Sequence, residues 1–329
     1  MKILLVEKCV RDFVKSRLDY LIYLADRGFE VAACIPFSKV HVEVPFPVYR
    51  YSFTKPWLIY QAIKSFQPQW IHAFRLLPIG YCFFSKIPFV AHTTGLGLVF
   101  TQRSYWPFRP LIYLILLRAR KIVVQNSDDY SCLSIFKRKL FRIPGSGIEL
   151  SRTEKQAIIH PVFLSAGRLI REKGFSNLID VFQSYKVLYP EAQLWIAGLK
   201  IPGHPHRIWQ CTLEKWFKIP GVTIHIDLED INHLLRYASY YIHPGYYREG
   251  IPRTVMEALN YGIPVIATDI PGCQDIIVDG INGILIPPRN SKAIYSAMVK
   301  VERLDFKKIS MMKYSKECIY PQMESIYYS

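Results

Sequence analysis

The sequence has no apolar run long enough to cross a bilayer, no paired cysteines and, in its first half, few acids. Its most apolar stretch, LIYLILL at 111–117, lies between Arg109 and Arg118. That falls far short of the roughly 20 residues a bilayer needs, so no membrane span is expected. The opening MKILLVEK is also too short in apolar residues for a signal peptide and predicts a buried first strand. The seven cysteines (Cys9, Cys34, Cys82, Cys132, Cys211, Cys273, Cys318) are odd in number and never spaced CxxC. This excludes a disulfide framework or a structural zinc site, and leads to the expectation of reduced thiols in a cytoplasmic protein without a metal.

Negative charge is scarce in one half only. Residues 1–150 hold 21 Lys and Arg against 9 Asp and Glu, and the remainder holds 21 against 17, for a net charge of +16. Such a bias points to an anionic partner: nucleic acid, an acidic membrane surface or a phosphorylated substrate. No basic helix or repeated stacking aromatic is evident, so nucleic acid is not expected. What is abundant is apolar surface. With 50% hydrophobic and 14% aromatic residues over a length of 329, two cores are expected rather than disorder.

Short β-rich runs alternate with helical patterns, the signature of parallel sheets with crossover helices. KILLVE, EVAACI, WIHAF, PFVAHT and KIVVQN predict strands of a first sheet, with helices over 13–27, 56–67 and 108–120. A polar break at GIELSRTEKQA separates a second series, VFLSAG, AQLWIAG, VTIHI, YYIHP, PVIATD and GILIPP. Helices are predicted there near 174–189, 207–217, 230–237 and 252–261, and 291–329 reads as mostly helical. In such folds ligands bind at the carboxyl ends of the strands.

After VFLSAG comes GRLIREKGF, which places Arg168 and Lys173 beside a glycine turn leading into a helix. Glycine lets the backbone approach a phosphate, the helix start carries partial positive charge, and two cations can neutralise a diphosphate. A surface turn with solvated charges would read the same way. Further on, Glu249 follows a strand and Glu257 lies eight positions later on a helix, flanked by Val255, Met256, Ala258 and Leu259. Two carboxylates so placed can reach different parts of one ligand, Glu257 suiting a ribose diol and Glu249 sugar hydroxyls. The plainer reading makes Glu257 an exposed helix residue.

In AGRLIREKGFSNLI, REGIPRTVMEAL, GIPVIATDIPGCQDII and DGINGILIPPRN the chain resembles the family 4 retaining glycosyltransferases of GT-B fold. The resemblance spans most of residues 163–290. It implies an α/β fold of two Rossmann-like domains whose parallel sheets face a deep interdomain cleft. The expected boundaries are 1–152 for an acceptor-binding domain, 153–305 for a nucleotide-sugar-binding domain, and a helix over 306–329 crossing back to the first. Carried over by position, Gly167, Arg168 and Lys173 would bind the donor diphosphate and Glu257 the ribose. Glu249 would face the reacting sugar, and the backbone around Gly250, Ile251 and Pro252 would lie near donor sugar or phosphate.

The first half, in VKSRLDYLIYLADRGFEV, HTTGLGLVF, QNSDD and IPGSGIEL, resembles a bacterial subgroup that extends undecaprenyl diphosphate-linked sugars or O-antigen units. By that analogy Arg17 and the loop carrying His92, Thr94, Gly95 and Gly97 would face the acceptor or the departing phosphate, His92 standing with Glu249, Arg168 and Lys173 among the catalytic residues. Otherwise Arg17 is a solvated helix residue and His92 a satisfied histidine at a strand end. Asn126 is expected to cap the next helix. The expected partners are a nucleotide sugar, UDP-linked, and a lipid-linked or oligosaccharide acceptor. The segment RSYWPFRPLIYLILLRARK could rest on an anionic membrane, placing the protein peripherally at the inner face of the cytoplasmic membrane, or 111–117 could be an ordinary core helix. A sugar-nucleotide epimerase or a pyridoxal-dependent phosphorylase would use the same cleft, and a basic nucleic-acid-binding protein would account for the charge alone. EKCVRDFVKSR lacks the glycine-rich loop that many relatives carry after the first strand, so phosphate contacts there must come from side chains.

Overall fold

A computed structural model of the chain describes residues 1–38, 43–101, 103–150, 156, 159–228 and 230–329. They form two compact units, Met1–Gly147 with Lys313–Ser329, and Ile148–Met312. The boundary expected at 152/153 lies outside the described residues, and the final segment joins the first unit from Lys313.

The first unit is a parallel sheet of seven strands: β1 Lys2–Val6, β2 Glu30–Pro36, β3 Val48–Tyr51, β4 Trp70–Phe74, β5 Phe89–His92, β6 Lys121–Val124 and β7 Leu140–Arg142, in the order β3-β2-β1-β4-β5-β6-β7. Successive side chains point to opposite faces. Ile3 and Leu5 of β1 therefore enter one core, with Phe13, Tyr20, Leu21, Ile319 and Met323, while Leu4 and Val6 enter the other, with Ile59, Ala62, Ile79 and Ile112. Burial on both faces accounts for strands that read as continuous apolar runs.

The helix predicted over 13–27 is two helices, Val10–Ser16 and Leu18–Asp26, broken at Arg17. The helices predicted at 56–67 and 108–120 are Trp57–Phe66 and Arg109–Arg118. Asn126 caps Ser127–Cys132 by accepting from the Asp129 backbone N–H. The closing helix Lys316–Ser325 is tied to Leu18–Asp26 and its C-cap by ion pairs of Lys316 with Asp19 and of Glu324 with Arg27, both 2.7 Å.

The second unit is a parallel sheet of six strands, β8 Val162–Arg168, β9 Gln193–Leu199, β10 Val222–Ile226, β11 Tyr240–His243, β12 Val265–Thr268 and β13 Gly283–Ile286, in the order β10-β9-β8-β11-β12-β13. All six match the apolar runs of the sequence. Residues 291–329 are mostly helical, as expected, in Ser291–Val301, the 3-10 turn Met312–Tyr314 and Lys316–Ser325, around an irregular stretch. In each unit the chain reverses its direction of growth, between β1 and β4 and between β8 and β11. Loops at the carboxyl ends diverge at such points and leave a crevice.

Candidate functional site

At the reversal point of the second unit, β8 ends at Arg168 and a short 3-10 turn, Arg171–Lys173, leads through Gly174 into the helix Phe175–Leu188. Gly174 has φ +72, and a Cβ there would lie 2.4 Å from the Pro244 carbonyl oxygen just beyond β11. Only glycine lets the turn press against that strand end. Lys173 is thereby held under cover, its stem beside Gly167. Gly272, at φ +90, similarly makes room for the Gly250 carbonyl, which a Cβ would meet at 1.6 Å. This close approach braces the loop Glu249–Pro252.

Within this frame Lys173 Nζ donates to Glu249 Oε1 at 2.7 Å, Arg168 Nη2 stands 3.7 Å from the same oxygen, and His243 Nε2 lies 4.0 Å from Oε2. Burial pushes the Glu249 carboxyl upward, but the nearby charges of Lys173, His243 and Arg168 outweigh it and hold it at about 2. His243 is buried and beside Lys173, which takes its imidazole down to about 4. Arg168 and Lys173 are thus gathered on one buried carboxylate rather than solvated on a turn. Gly250 and Ile251 are buried, and Pro252 precedes the helix Arg253–Asn260 as its N-cap.

Glu257 is on that helix and only 16% exposed, not on an exposed face. Its Oε1 accepts from Arg253 Nε at 2.7 Å, while Oε2 is buried without a hydrogen-bond partner. Burial raises the pKa of Tyr241, with smaller additions from Glu257 and Glu249, and its hydroxyl bonds the Ala166 backbone two residues before Arg168. The helices beginning at Phe175 and Arg253 have no side-chain cap, and the start of Phe175–Leu188 can receive an anion. Side chains able to bind phosphate and pentose oxygens therefore surround one strand end.

The first unit gathers a second polar group at its own reversal point. Glu7, just beyond β1, is fully buried, with Oε2 3.4 Å from Arg17 Nε and Oε1 3.6 Å from Arg75 Nε. Arg75 also pairs with Asp12. Arg17 is buried with its guanidinium carbon 3.9 Å from the Phe74 ring, which corrects its reading as a solvated helix residue. The Phe74 ring also lies 4.5 Å from the His92 ring, tilted by 32°. His92 Nδ1 bonds His72 Nε2 at 3.1 Å, but His92 Nε2 and Arg17 Nη1 are buried without hydrogen-bond partners. Beyond His92, Gly95 and Gly97 take positive φ, Thr94 is half-buried, and the Leu96 N–H is anchored on the buried Asp129 carboxylate at 3.2 Å. The sequence reading did not anticipate Glu7, Arg75, His72 or His243. Glu7 and His243 share a signal that could have found them, a titratable residue at the end of an apolar strand.

The whole chain superposes on solved structures at low identity. A sucrose-phosphate synthase from Thermosynechococcus elongatus gives a TM-score of 0.80 at 18% identity, covering 100% of this chain and 98% of that one. The Anabaena protein Alr3699/HepE in complex with UDP and glucose gives 0.79 at 16% identity, covering 100% and 99%. These establish the GT-B fold. In sequence, a lipopolysaccharide 1,6-galactosyltransferase of Salmonella typhimurium is 29% identical over 140 residues, 39% of this chain and 35% of that protein. The chain spans less than half the length of the curated relatives it matches. The model of the family described as glycosyl transferases group 1 matches residues 152–317, half of the chain. The protein belongs to the group 1 glycosyl transferases.

Proposed function

We propose that the chain is a retaining glycosyltransferase that moves a sugar from a UDP-linked donor to a lipid-linked or saccharide acceptor in cell-envelope polysaccharide synthesis. The observation that carries this is the gathering of Arg168 and Lys173 on buried Glu249 beside uncapped helix starts, with Glu257 Oε2 left open nearby. A diphosphate entering there meets both cations, which compensate the negative charge that develops as it leaves. No divalent ion is required for that step. Glu257 offers its open oxygen to the ribose. In the retaining reaction the acceptor attacks from the face the diphosphate departs, and the departing phosphate takes the proton; Glu249, engaged by Lys173, is not a covalent nucleophile. UDP and glucose bound to the Anabaena protein, and the galactosyl transfer named for the Salmonella relative, favour this donor and acceptor class. Arg168→Ala and Glu257→Ala should each weaken UDP-sugar binding about 10- to 100-fold in calorimetry, the range of a lost charge-assisted hydrogen bond. Unchanged affinity in both variants would remove the site.

The membrane part of the proposal rests on the first unit. Residues 44–127 contain ten Lys and Arg and no Asp or Glu. A pocket of about 660 Å³ is lined by Lys86, Arg118, Arg120, Lys121, Arg138 and Lys139. Beside it the helix Arg109–Arg118 packs Ile112 and Leu116 inward but exposes Leu111, Leu114 and Leu117, following exposed Trp106 and Phe108. Leucines and aromatics rimmed by cations suit the surface of an anionic bilayer. Among the described residues no helix is long and apolar enough to cross a membrane, so the attachment proposed is peripheral, at the inner face of the cytoplasmic membrane. Liposome binding should rise with the fraction of anionic lipid, and a flat response would refute this attachment.

A further inference from the structure

His92 ends a chain of buried hydrogen bonds that begins 72 residues earlier in sequence, at Tyr20, and passes through Tyr327, just after the closing helix. Tyr20 Oη donates to Tyr327 Oη at 3.2 Å. Tyr327 Oη lies 2.6 Å from His72 Nδ1, and His72 Nε2 lies 3.1 Å from His92 Nδ1. All four residues are buried, at 5% exposure or less. In their neutral forms each of the four groups carries one proton, and three bonds join them. One proton is therefore left without an acceptor, and the direction of the chain decides at which end.

The direction follows from the first bond. Tyr20 donates, so Tyr327 accepts there and has its own proton to give to His72 Nδ1; accepting from His72 as well would strand that proton in the core. That nitrogen then holds the lone pair, the His72 proton sits on Nε2, and it goes to His92 Nδ1. The proton left over is the one on His92 Nε2, the nitrogen that is buried without a partner. The reverse direction would strand the Tyr20 hydroxyl proton instead, in a core that holds Phe13, Leu21 and Leu24 and whose nearby polar groups, Tyr23 and Glu324, are already bonded to each other. A buried donor without an acceptor costs about 1–3 kcal/mol. Beside His92, across Phe74, stands a second such donor, Arg17 Nη1.

We propose that Tyr20, Tyr327 and His72 are positioning residues that fix His92 in its neutral Nε2–H form, as a hydrogen-bond donor aimed, with Arg17 Nη1, at an oxygen of the ligand. The use of that donor rests on the acceptor-side reading of His92, whereas the tautomer does not. Burial, reinforced by the Arg17 charge, takes His72 down to about 3 and His92 well below its usual value. The groups facing the relay are Arg17 with its partner Glu7 on one side and Tyr23 with Glu324 on the other. With Nε2 protonated and the Nδ1 lone pair engaged by His72, His92 has no site left to take a proton. It serves a phosphate or sugar oxygen by donation, and acceptor deprotonation falls to another group. It also gives the closing segment a chemical task, to deliver one phenol to His72.

The test is long-range proton–nitrogen correlation on the full chain labelled with nitrogen-15 in its histidine rings, at pH 7, with His92→Gln to assign the signal. In the unsubstituted protein His92 should show one neutral tautomer, with Nε2 protonated and Nδ1 bearing the lone pair. Tyr327→Phe should destroy that single form and populate Nδ1–H on His92. Tyr23→Phe, which removes only a bond to Glu324, should leave it intact. An Nδ1–H tautomer or an imidazolium in the unsubstituted protein overturns the proposal, and so does a tautomer unmoved by Tyr327→Phe. A protein with the expected tautomer that fails to transfer glycosyl groups would overturn the functional reading and leave the relay standing.

Discussion

Each unit sets one buried glutamate between two cations at the end of a central strand, and the two carboxyls respond in opposite ways. Glu249 has Lys173 at 2.7 Å and Arg168 at 3.7 Å, and its acidity is held at about 2. Glu7 has Arg17 at 3.4 Å and Arg75 at 3.6 Å, and burial, its largest influence, raises its pKa from the ordinary value despite both charges. Glu7 is also the more deeply enclosed, at 0% against 18% side-chain exposure. Attraction between charges competes with the loss of solvent, and a short direct bond decides the contest for Glu249 while looser contacts leave it undecided for Glu7. Two cations near a carboxylate do not make a stable ion pair; one of them has to touch it.

The largest effect should come from removing that contact. Lys173→Met leaves Glu249 without its 2.7 Å contact, Arg168 standing 3.7 Å and His243 4.0 Å away, and breaking a buried pair from one side costs about 3–5 kcal/mol. Amide exchange should show the loss across β8 and β11, with β1 and β4 unaffected. Adding Glu249→Gln should restore part of the lost protection, because no charge then remains to be compensated. A cost below about 1 kcal/mol, as for an exposed pair, would mean that the two glutamates do not differ in the way their distances suggest.

The same contrast bears on what the sequence could disclose. The second unit's strands are legible because runs such as VFLSAG and GILIPP are short, apolar and bounded by glycine or proline, and Arg168, Lys173 and Glu257 sit in a dense local motif. In the first unit β3 and β7 escape, since VYRY and LFR are brief and carry arginine. Arg17, expected to face the acceptor or otherwise to be solvated, is buried, and that burial depends on Glu7 and Phe74, which no helical pattern contains. His72 and Tyr327 are 255 residues apart, so their pairing appears only once the closing helix is seen packed on the first sheet. Local motifs disclose a site built from neighbouring loops; one assembled from distant strands and a terminal helix leaves almost no local trace.

A finer test of the two glutamates is the pH dependence of each unit's stability. The folded pKa of Glu249 lies below its ordinary value of 4.5, so its stabilising contribution is complete above that value and is lost as pH falls toward about 2. A shift of that size corresponds to on the order of 3 kcal/mol. Glu249→Gln should therefore weaken the second unit at neutral pH and flatten its acid transition between about pH 5 and 2. Glu7 has the opposite sign. Its folded pKa is raised, so it favours folding at low pH, and that advantage is lost as pH rises through the folded value. Glu7→Gln should gain on the unsubstituted protein as pH rises from the acid side, with a smaller change in the protection of β1 and β4. If both variants showed the same slope with pH, distance to the nearest cation would not be what separates them, and the difference would have to lie in the sheets themselves.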